Sequence, residues 1–183
     1  ISTEMGAPIT MAKEAQADAA IGHLDGFISA LESLEENEKL DNGDILTKEP
    51  IGVCGLITPW NWPINQITLK VLPALATGCT CILKPSEHTP LSAIIYAEII
   101  DEAGYPPGVF NLINGDGPTV GSELSKHPDI QMMSFTGSTR AGICVTKDSA
   151  DTVKRVTLEL GGKSPNLVFS DCDLEERVNA SVN

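Results

Sequence analysis

The residues best able to do chemistry in this sequence stand just after short apolar runs, where a chain leaves one element for the next. Asn61 lies in Pro59-Trp60-Asn61-Trp62-Pro63, directly after the run Ile51 to Thr58. Lys84 and Glu87 follow Cys79 to Leu83, Gly115 and Gly117 follow Val109 to Ile113, and Gly137 and Ser138 follow Ile130 to Ser134. Glu159 closes a stretch that starts at Val153, and a carboxylate at an apolar strand end is costly unless it serves a purpose or points to solvent. Gly137-Ser138-Thr139-Arg140-Ala141-Gly142 offers glycines and an N-capping hydroxyl, which suit a phosphate at a helix N-terminus. The same residues also make an ordinary strand-to-helix turn. Taken singly the others are equally open: Lys84 and Glu87 as a surface pair, Asn114-Gly115-Asp116-Gly117 as a tight turn, Asn61 as a turn former between two tryptophans.

Several other chemistries are excluded. There is no Gly-x-Gly-x-x-Gly, and Gly162-Lys163-Ser164 is no P-loop, because Thr157 stands where its first glycine belongs. The five cysteines, at 54, 79, 81, 144 and 172, match no zinc or redox spacing, so no metal is expected. Cys54, Cys79 and Cys81 sit in apolar runs, where a free thiol behaves as a small buried hydrophobe. Cys172 lies between Asp171 and Asp173, whose charges disfavour a thiolate.

The formal net charge of −13, from 12 basic and 25 acidic residues, would repel a phosphate backbone, which sets nucleic acid aside. Eleven of the acids fall in residues 1–50, and the stretch Glu32 to Asp44 reads as a solvated helix end and turn. A hydrophobic content of 42% with 20% charged residues is that of a globular protein. No apolar run is long enough for a membrane, and Ile1-Ser2-Thr3-Glu4-Met5 has neither the basic start nor the apolar middle of a signal peptide. An odd number of cysteines without a framework points to reduced thiols and a cytoplasmic location. The opening residue is Ile rather than Met, so a preceding segment is expected.

These positions need elements to hold them. Leu24, Phe27, Ile28, Leu31 and Leu34 form a helical stripe, Asp41-Asn42-Gly43-Asp44 a turn, and Ile45 to Thr47 a short strand. From Ile51 the chain alternates. Strands are predicted at Ile51 to Thr58, Cys79 to Leu83, Val109 to Ile113, Ile130 to Ser134, Val153 to Leu158 and Asn166 to Phe169. Helices are predicted from Ile64 through Pro73 to Gly78, from a Thr89 N-cap to Ala103, from Pro118 towards Lys126, from about Ser138, and from Asp173. Such alternation gives an α/β fold, an open, mainly parallel sheet with helices on both faces. Ligands of such sheets bind at the carboxyl ends of the strands, which is where the residues above gather.

Pro59-Trp60-Asn61-Trp62-Pro63, Leu83-Lys84-Pro85-Ser86-Glu87, Ser134-Phe135-Thr136-Gly137-Ser138-Thr139 and Leu158-Glu159-Leu160-Gly161-Gly162-Lys163-Ser164-Pro165-Asn166 occur in that order. Together they closely resemble the aldehyde dehydrogenase superfamily, over the whole chain and most strongly from Glu49 to Val178. The resemblance implies the Rossmann-like variant of that family's NAD-binding domain at 51–183, preceded by a helix and lead-in strand at 1–50. It implies that Lys84 and Glu87 hold the adenosine ribose. A carboxylate there would repel a 2′-phosphate, which favours NAD over NADP. It further implies that Ser138 contacts the pyrophosphate beside Thr136 and Gly137, and that Gly117, Gly121, Phe135, Ile57, Thr58 and Trp60 line the nucleotide cleft. Asn61 is similar to the asparagine whose amide stabilises the oxyanion formed when a thiolate attacks an aldehyde. Glu159 is similar to the general base that hydrolyses the thioester.

The family's nucleophile stands in a Gln-x-Cys loop a few tens of residues past that base, and no such loop occurs here. The expectation is therefore a fragment, inactive alone, of an enzyme oxidising a small aldehyde as a homodimer or homotetramer, with the substrate and oligomerisation segments absent. The alternative is a naturally short, non-catalytic nucleotide-binding or assembly module, which would need neither Asn61 nor Glu159.

Overall fold

The structure is a computed structural model that describes residues 1–182. The chain opens with three helical pieces: α1 (Ser2–Met5), α2 (Ile9–Met11) and, after a π-helical turn at Ala12–Ala17, α3 (Asp18–Glu32). The predicted stripe is helical as far as Leu31, Leu34 lying just past the end of α3, but Leu24, Ile28, Leu31 and Leu34 are exposed. The buried face carries Ala12, Gln16 and Ala20 instead. Two alanines are what lets this helix lie close against its neighbour, and their small size gave the sequence pattern little weight.

A hairpin follows, in which β1 (Asn37–Lys39) pairs antiparallel with β2 (Ile45–Thr47). Gly43 takes the left-handed conformation at its tip (φ 91°), and the Asn42 side chain accepts the Asp44 N–H at 3.1 Å.

The centre is a parallel sheet of five strands: β3 (Val53–Ile57), β4 (Thr80–Lys84), β5 (Phe110–Leu112), β6 (Met132–Gly137) and β7 (Arg155–Leu160). Their spatial order is β5-β4-β3-β6-β7. The chain starts in the middle, builds outward to β5, then returns to the other side of β3. The strand order thus reverses between β3 and β6, the place where such sheets leave a crevice for a ligand. The crossovers are α4 (Pro63–Ala76), α5 (Leu91–Glu102), a π-helical turn at Gly117–Gly121 running into α6 (Ser122–Lys126), and α7 (Thr139–Ser149) with a terminal 3-10 turn at Ala150–Thr152. A final helix, α8 (Leu174–Val182), follows β7.

Side-chain alternation along the strands makes two cores. Cys54, Leu56, Cys81 and Leu83 pack with Ile67, Val71 and Leu75 of α4 and Ala93, Tyr96 and Ile100 of α5. On the opposite face Ile57, Met133 and Phe135 pack with Leu124 and Val145 of α6 and α7.

Besides shifts of other strand ends, such as β6 at Met132–Gly137 rather than Ile130–Ser134, the structure differs from the sequence reading in three places. First, no strand forms at Asn166–Phe169; Leu167, Val168 and Phe169 lie exposed in irregular chain. An apolar run makes a strand only where a neighbouring ladder and a packing surface receive it, and no described strand lies beside this one. Second, β7 starts at Arg155 rather than Val153, which takes the left-handed conformation (φ 51°), and it runs on to Leu160. Third, Thr89 does not cap α5. Its hydroxyl has no partner among the described residues. The cap comes from Glu4 in α1, whose carboxylate accepts the Leu91 N–H at 2.6 Å, the Ser92 N–H at 3.1 Å, and the Ser92 hydroxyl.

Candidate active site

The register of the sheet explains how distant motifs meet. Ile57 pairs with Lys84 on one side and with Phe135 on the other, and Thr136 pairs with Glu159. The ends of four strands therefore fall in two adjacent rows. Just past them come the turn carrying Asn61, the Pro85–Glu87 segment and the N-terminus of α7.

Alternation then divides the residues between the two faces of the sheet. On the α4 face a cleft of about 840 Å³ is lined by Trp60, Asn61, Lys70, Ser134, Thr136, Gly137, Ser138 and Glu159, among others. On the α7 face a second cleft, of about 500 Å³, is lined by Ile57, Gly117, Gly121, Phe135, Ala141 and Cys144 among others. The predicted residues thus share one sheet edge but open on both sides of it. Thr58 is buried at the end of β3, its N–H bonded to the Lys84 carbonyl at 3.2 Å.

Local sequence accounts for the shape of the edge. Pro59 and Pro63 cannot donate, so the segment between them stays irregular until Pro63 starts α4. Trp60 is left 53% exposed at the mouth of the first cleft. Ser138 caps α7, its hydroxyl accepting the Ala141 N–H at 3.2 Å, and this N-terminus lies at the cleft that Ser138 lines. Any side chain at Gly137 would meet the Phe135 ring at 2.6 Å, so the backbone there is bare. Asp116 caps the turn before α6 by accepting the Thr119 N–H at 2.7 Å, and that bond holds its carboxyl below the usual range.

Lys84 is 2% exposed. Its ammonium donates to the Pro85 carbonyl at 2.9 Å and lies 3.5 Å from the half-exposed Glu87 carboxylate. Glu159 is exposed on β7, so in this chain its charge carries no burial cost.

One residue of the cleft was not singled out from the sequence. Lys70 is buried on α4, and its ammonium donates to the Ser134 hydroxyl at 2.8 Å. Loss of water pushes its pKa down to about 8, an effect that the Glu159 carboxylate partly opposes. The available signal was its place on the apolar face of α4, at helical spacing from Ile67 and beside Val71. Thr136 adds a buried hydroxyl with no partner among the described residues. No group of acidic, Cys or His side chains among the described residues is arranged to hold a metal, and no described helix is long and apolar enough to cross a membrane.

The pattern of the aldehyde dehydrogenase family matches residues 1–183, the entire chain. The chain belongs to the aldehyde dehydrogenase family. Its curated relatives include a 3-succinoylsemialdehyde-pyridine dehydrogenase of a Pseudomonas species, 56% identical over all of this chain. The chain spans 38% of that relative's length. An aldehyde dehydrogenase of Bartonella henselae superposes with a TM-score of 0.96 at 56% identity, over 99% of this chain and 38% of that one. A variant of aldehyde dehydrogenase C from Pseudomonas syringae, crystallised with NAD+ and octanal, gives 0.96 at 52% identity, over 99% of this chain and 37% of that one. The aldehyde dehydrogenase fold therefore accounts for the sheet order and for the crevice between β3 and β6.

Proposed function

We propose that this chain is the cofactor-binding part of an NAD-dependent aldehyde dehydrogenase that oxidises an aldehyde to a carboxylic acid through a cysteine thioester. The observation that carries the reading is the meeting of Asn61, Lys70, Thr136 and Glu159 in one cleft beside the capped N-terminus of α7. Residues 51–183 form the nucleotide-binding unit and residues 1–50 its lead-in.

The residues at the edge suit a dinucleotide. The α7-face cleft supplies apolar walls, Ile57 and Phe135, and a bare approach at Gly117 for an adenine. Lys84 and Glu87 place a donor and an acceptor for ribose hydroxyls. The α7 N-terminus with Ser138 faces the pyrophosphate, and the unpartnered Thr136 hydroxyl waits on the other face. The Glu87 carboxylate would meet a 2′-phosphate with like charge, so NAD is preferred to NADP. Two relatives crystallised with NAD+, aldehyde dehydrogenase C and a Staphylococcus aureus betaine aldehyde dehydrogenase, support this choice. When bound, NAD takes the hydride that the substrate releases.

This chain's own residues act around that transfer. The Asn61 amide donates to the oxygen that becomes negative when a thiolate attacks the aldehyde carbon. The Glu159 carboxylate takes a proton from the water that cleaves the thioester. Lys70 donates to Ser134 in the same cleft, and its ammonium, whose pKa burial lowers to about 8, feels the Glu159 charge there. None of the five cysteines lines this cleft, so the thiolate comes from outside the chain. In the test, the whole enzyme is given NAD and octanal and should form NADH and octanoate in equal amounts, with NADP a poorer substrate. Glu87→Gln should narrow the NAD/NADP ratio of kcat/KM. An enzyme that makes NADH from no member of an aliphatic, aromatic and heteroaromatic aldehyde panel would overturn the reading.

A further inference from the structure

Asn61 must hold its amide within a fraction of an ångström of the developing oxyanion, yet it sits in a turn with little internal support. Pro59 and Pro63 have no N–H, and the first helical bond of α4 is made by the next carbonyl, that of Trp62, which accepts from Gln66 at 3.0 Å. The Asn61 carbonyl thus lies one residue ahead of the helix that would otherwise bind it.

It is held from elsewhere. The side-chain amide of Gln16, 45 residues earlier, donates to the Asn61 carbonyl at 3.1 Å. Gln16 is 0% exposed, and its amide nitrogen also contacts the Met5 sulfur at 3.5 Å. Its carbonyl oxygen has no partner among the described residues. An amide buried this deeply with one acceptor unpaired costs stability, so a leucine in its place would serve packing better. The backbone around it is also unusual. Gln16 belongs to the π-helical turn Ala12–Ala17 that joins α2 to α3. Such a turn adds a residue to the helical register and re-aims the side chains beyond it, a device concentrated at functional sites. The amide nitrogen thus fixes one of the two peptides that flank the Asn61 Cα and set where its side chain starts.

We infer that Gln16 is a positioning residue for the oxyanion site: its hydrogen bond fixes the Asn61 peptide and so pre-organises the Asn61 amide before the aldehyde arrives. Gln16 touches no reacting atom and acts through Asn61. The inference rests on the reading of Asn61 given above. Misplacing a catalytic donor by about an ångström can cost up to roughly a hundredfold in rate, and loss of one of several restraints should cost less.

The test uses the whole enzyme with NAD and octanal, or the best substrate of the aldehyde panel, and follows the first-turnover burst of NADH. Gln16→Met keeps length and apolar bulk but cannot donate, and Gln16→Leu serves if the Met variant does not fold. The burst should slow about five- to tenfold while NAD affinity and aldehyde KM stay at wild-type values. Gln16→Met combined with Asn61→Ala should be no slower than Asn61→Ala alone, since the bond has nothing left to aim. Ala20→Gly, on the same buried helix face, should lower the melting temperature and leave the burst unchanged. A wild-type burst in Gln16→Met, a parallel loss of NAD affinity, or a double variant slower by the product of the two effects would each overturn the inference. A wild-type burst in Asn61→Ala itself would instead remove the reading of Asn61, and this inference with it.

Discussion

Asn61 and Glu159 share a cleft, and the proposed mechanism assigns them to different steps, a division that can be measured. Glu159→Gln keeps the shape and loses the base, so a first turnover should release NADH and then stall at the thioester, giving a burst with little steady rate. Asn61→Ala removes a donor to the oxyanion formed earlier, so the burst itself should slow by about a hundredfold or more. Stopped-flow absorbance of NADH separates the two, and a fast burst in Asn61→Ala would reverse the assignment. Lys70 adds a dependence on pH. Its native pKa of about 8 lies below the ordinary 10.5, so as pH rises the native state gives up its proton before the unfolded state does. Between those values the unfolded state binds more protons, and stability grows with pH; below about 8 both states are charged and the full desolvation cost is present. Lys70→Met removes that cost. The melting temperature of the variant minus that of the wild type should therefore be largest near pH 7 and shrink towards pH 10. A difference independent of pH would mean that the ammonium is not desolvated.

At the scale of elements, the first turn of α5 depends on a side chain from another helix. Glu4→Ala leaves the Leu91 and Ser92 N–H groups without their carboxylate, which should cost about 1–2 kcal/mol, the usual worth of an N-cap. Amide exchange at those two residues should quicken by roughly the corresponding factor of 5 to 30, with the NADH burst unchanged. Equal protection in variant and wild type would show that Thr89 and Pro90 suffice. Short-range signals were readable in advance: the irregular break from Pro59 to Pro63 ahead of α4, Ser138 capping α7, the turn at Asn42-Gly43, and the apolar runs that became β3 to β7. The Glu4 cap spans 87 residues and leaves no local pattern. The same holds for Gln16 and Asn61, joined when the turn Ala12–Ala17 packs beside the start of α4, and for Lys70 and Ser134, joined when α4 packs on the sheet. Thr89 before Pro90 reads locally as a cap and loses to a charged competitor, while Asn166–Phe169 reads locally as a strand and finds no ladder. The site motifs stood out because each follows an apolar run, and sheet register then gathers them at one edge.

At the scale of the whole molecule, the sheet works as a wall between two clefts, and that wall decides what the chain's own thiols can do. Cys54 and Cys81 are buried within one core, where loss of water pushes both thiols up to about 12. Cys79 is buried beside them. Cys144 is exposed, but it opens on the α7 face, across the sheet from Asn61 and Glu159. Cys172 lies with Asn166 to Phe169 and Arg177 to Ser181, away from either cleft. On the proposed mechanism a thiolate reaches the aldehyde beside the Asn61 amide, and none of these five lines that cleft. The purified chain should therefore form no NADH from octanal and NAD above the rate of a blank. A thiol titration checks the geometry behind that expectation. Cys144 and Cys172 should react with an aromatic disulfide reagent under native conditions, and Cys54, Cys79 and Cys81 only after denaturation. Aldehyde oxidation by the purified chain, abolished by native-state labelling of the two accessible thiols, would show that a resident cysteine reaches the Asn61 cleft. The division of the molecule into two clefts by its sheet would then be wrong.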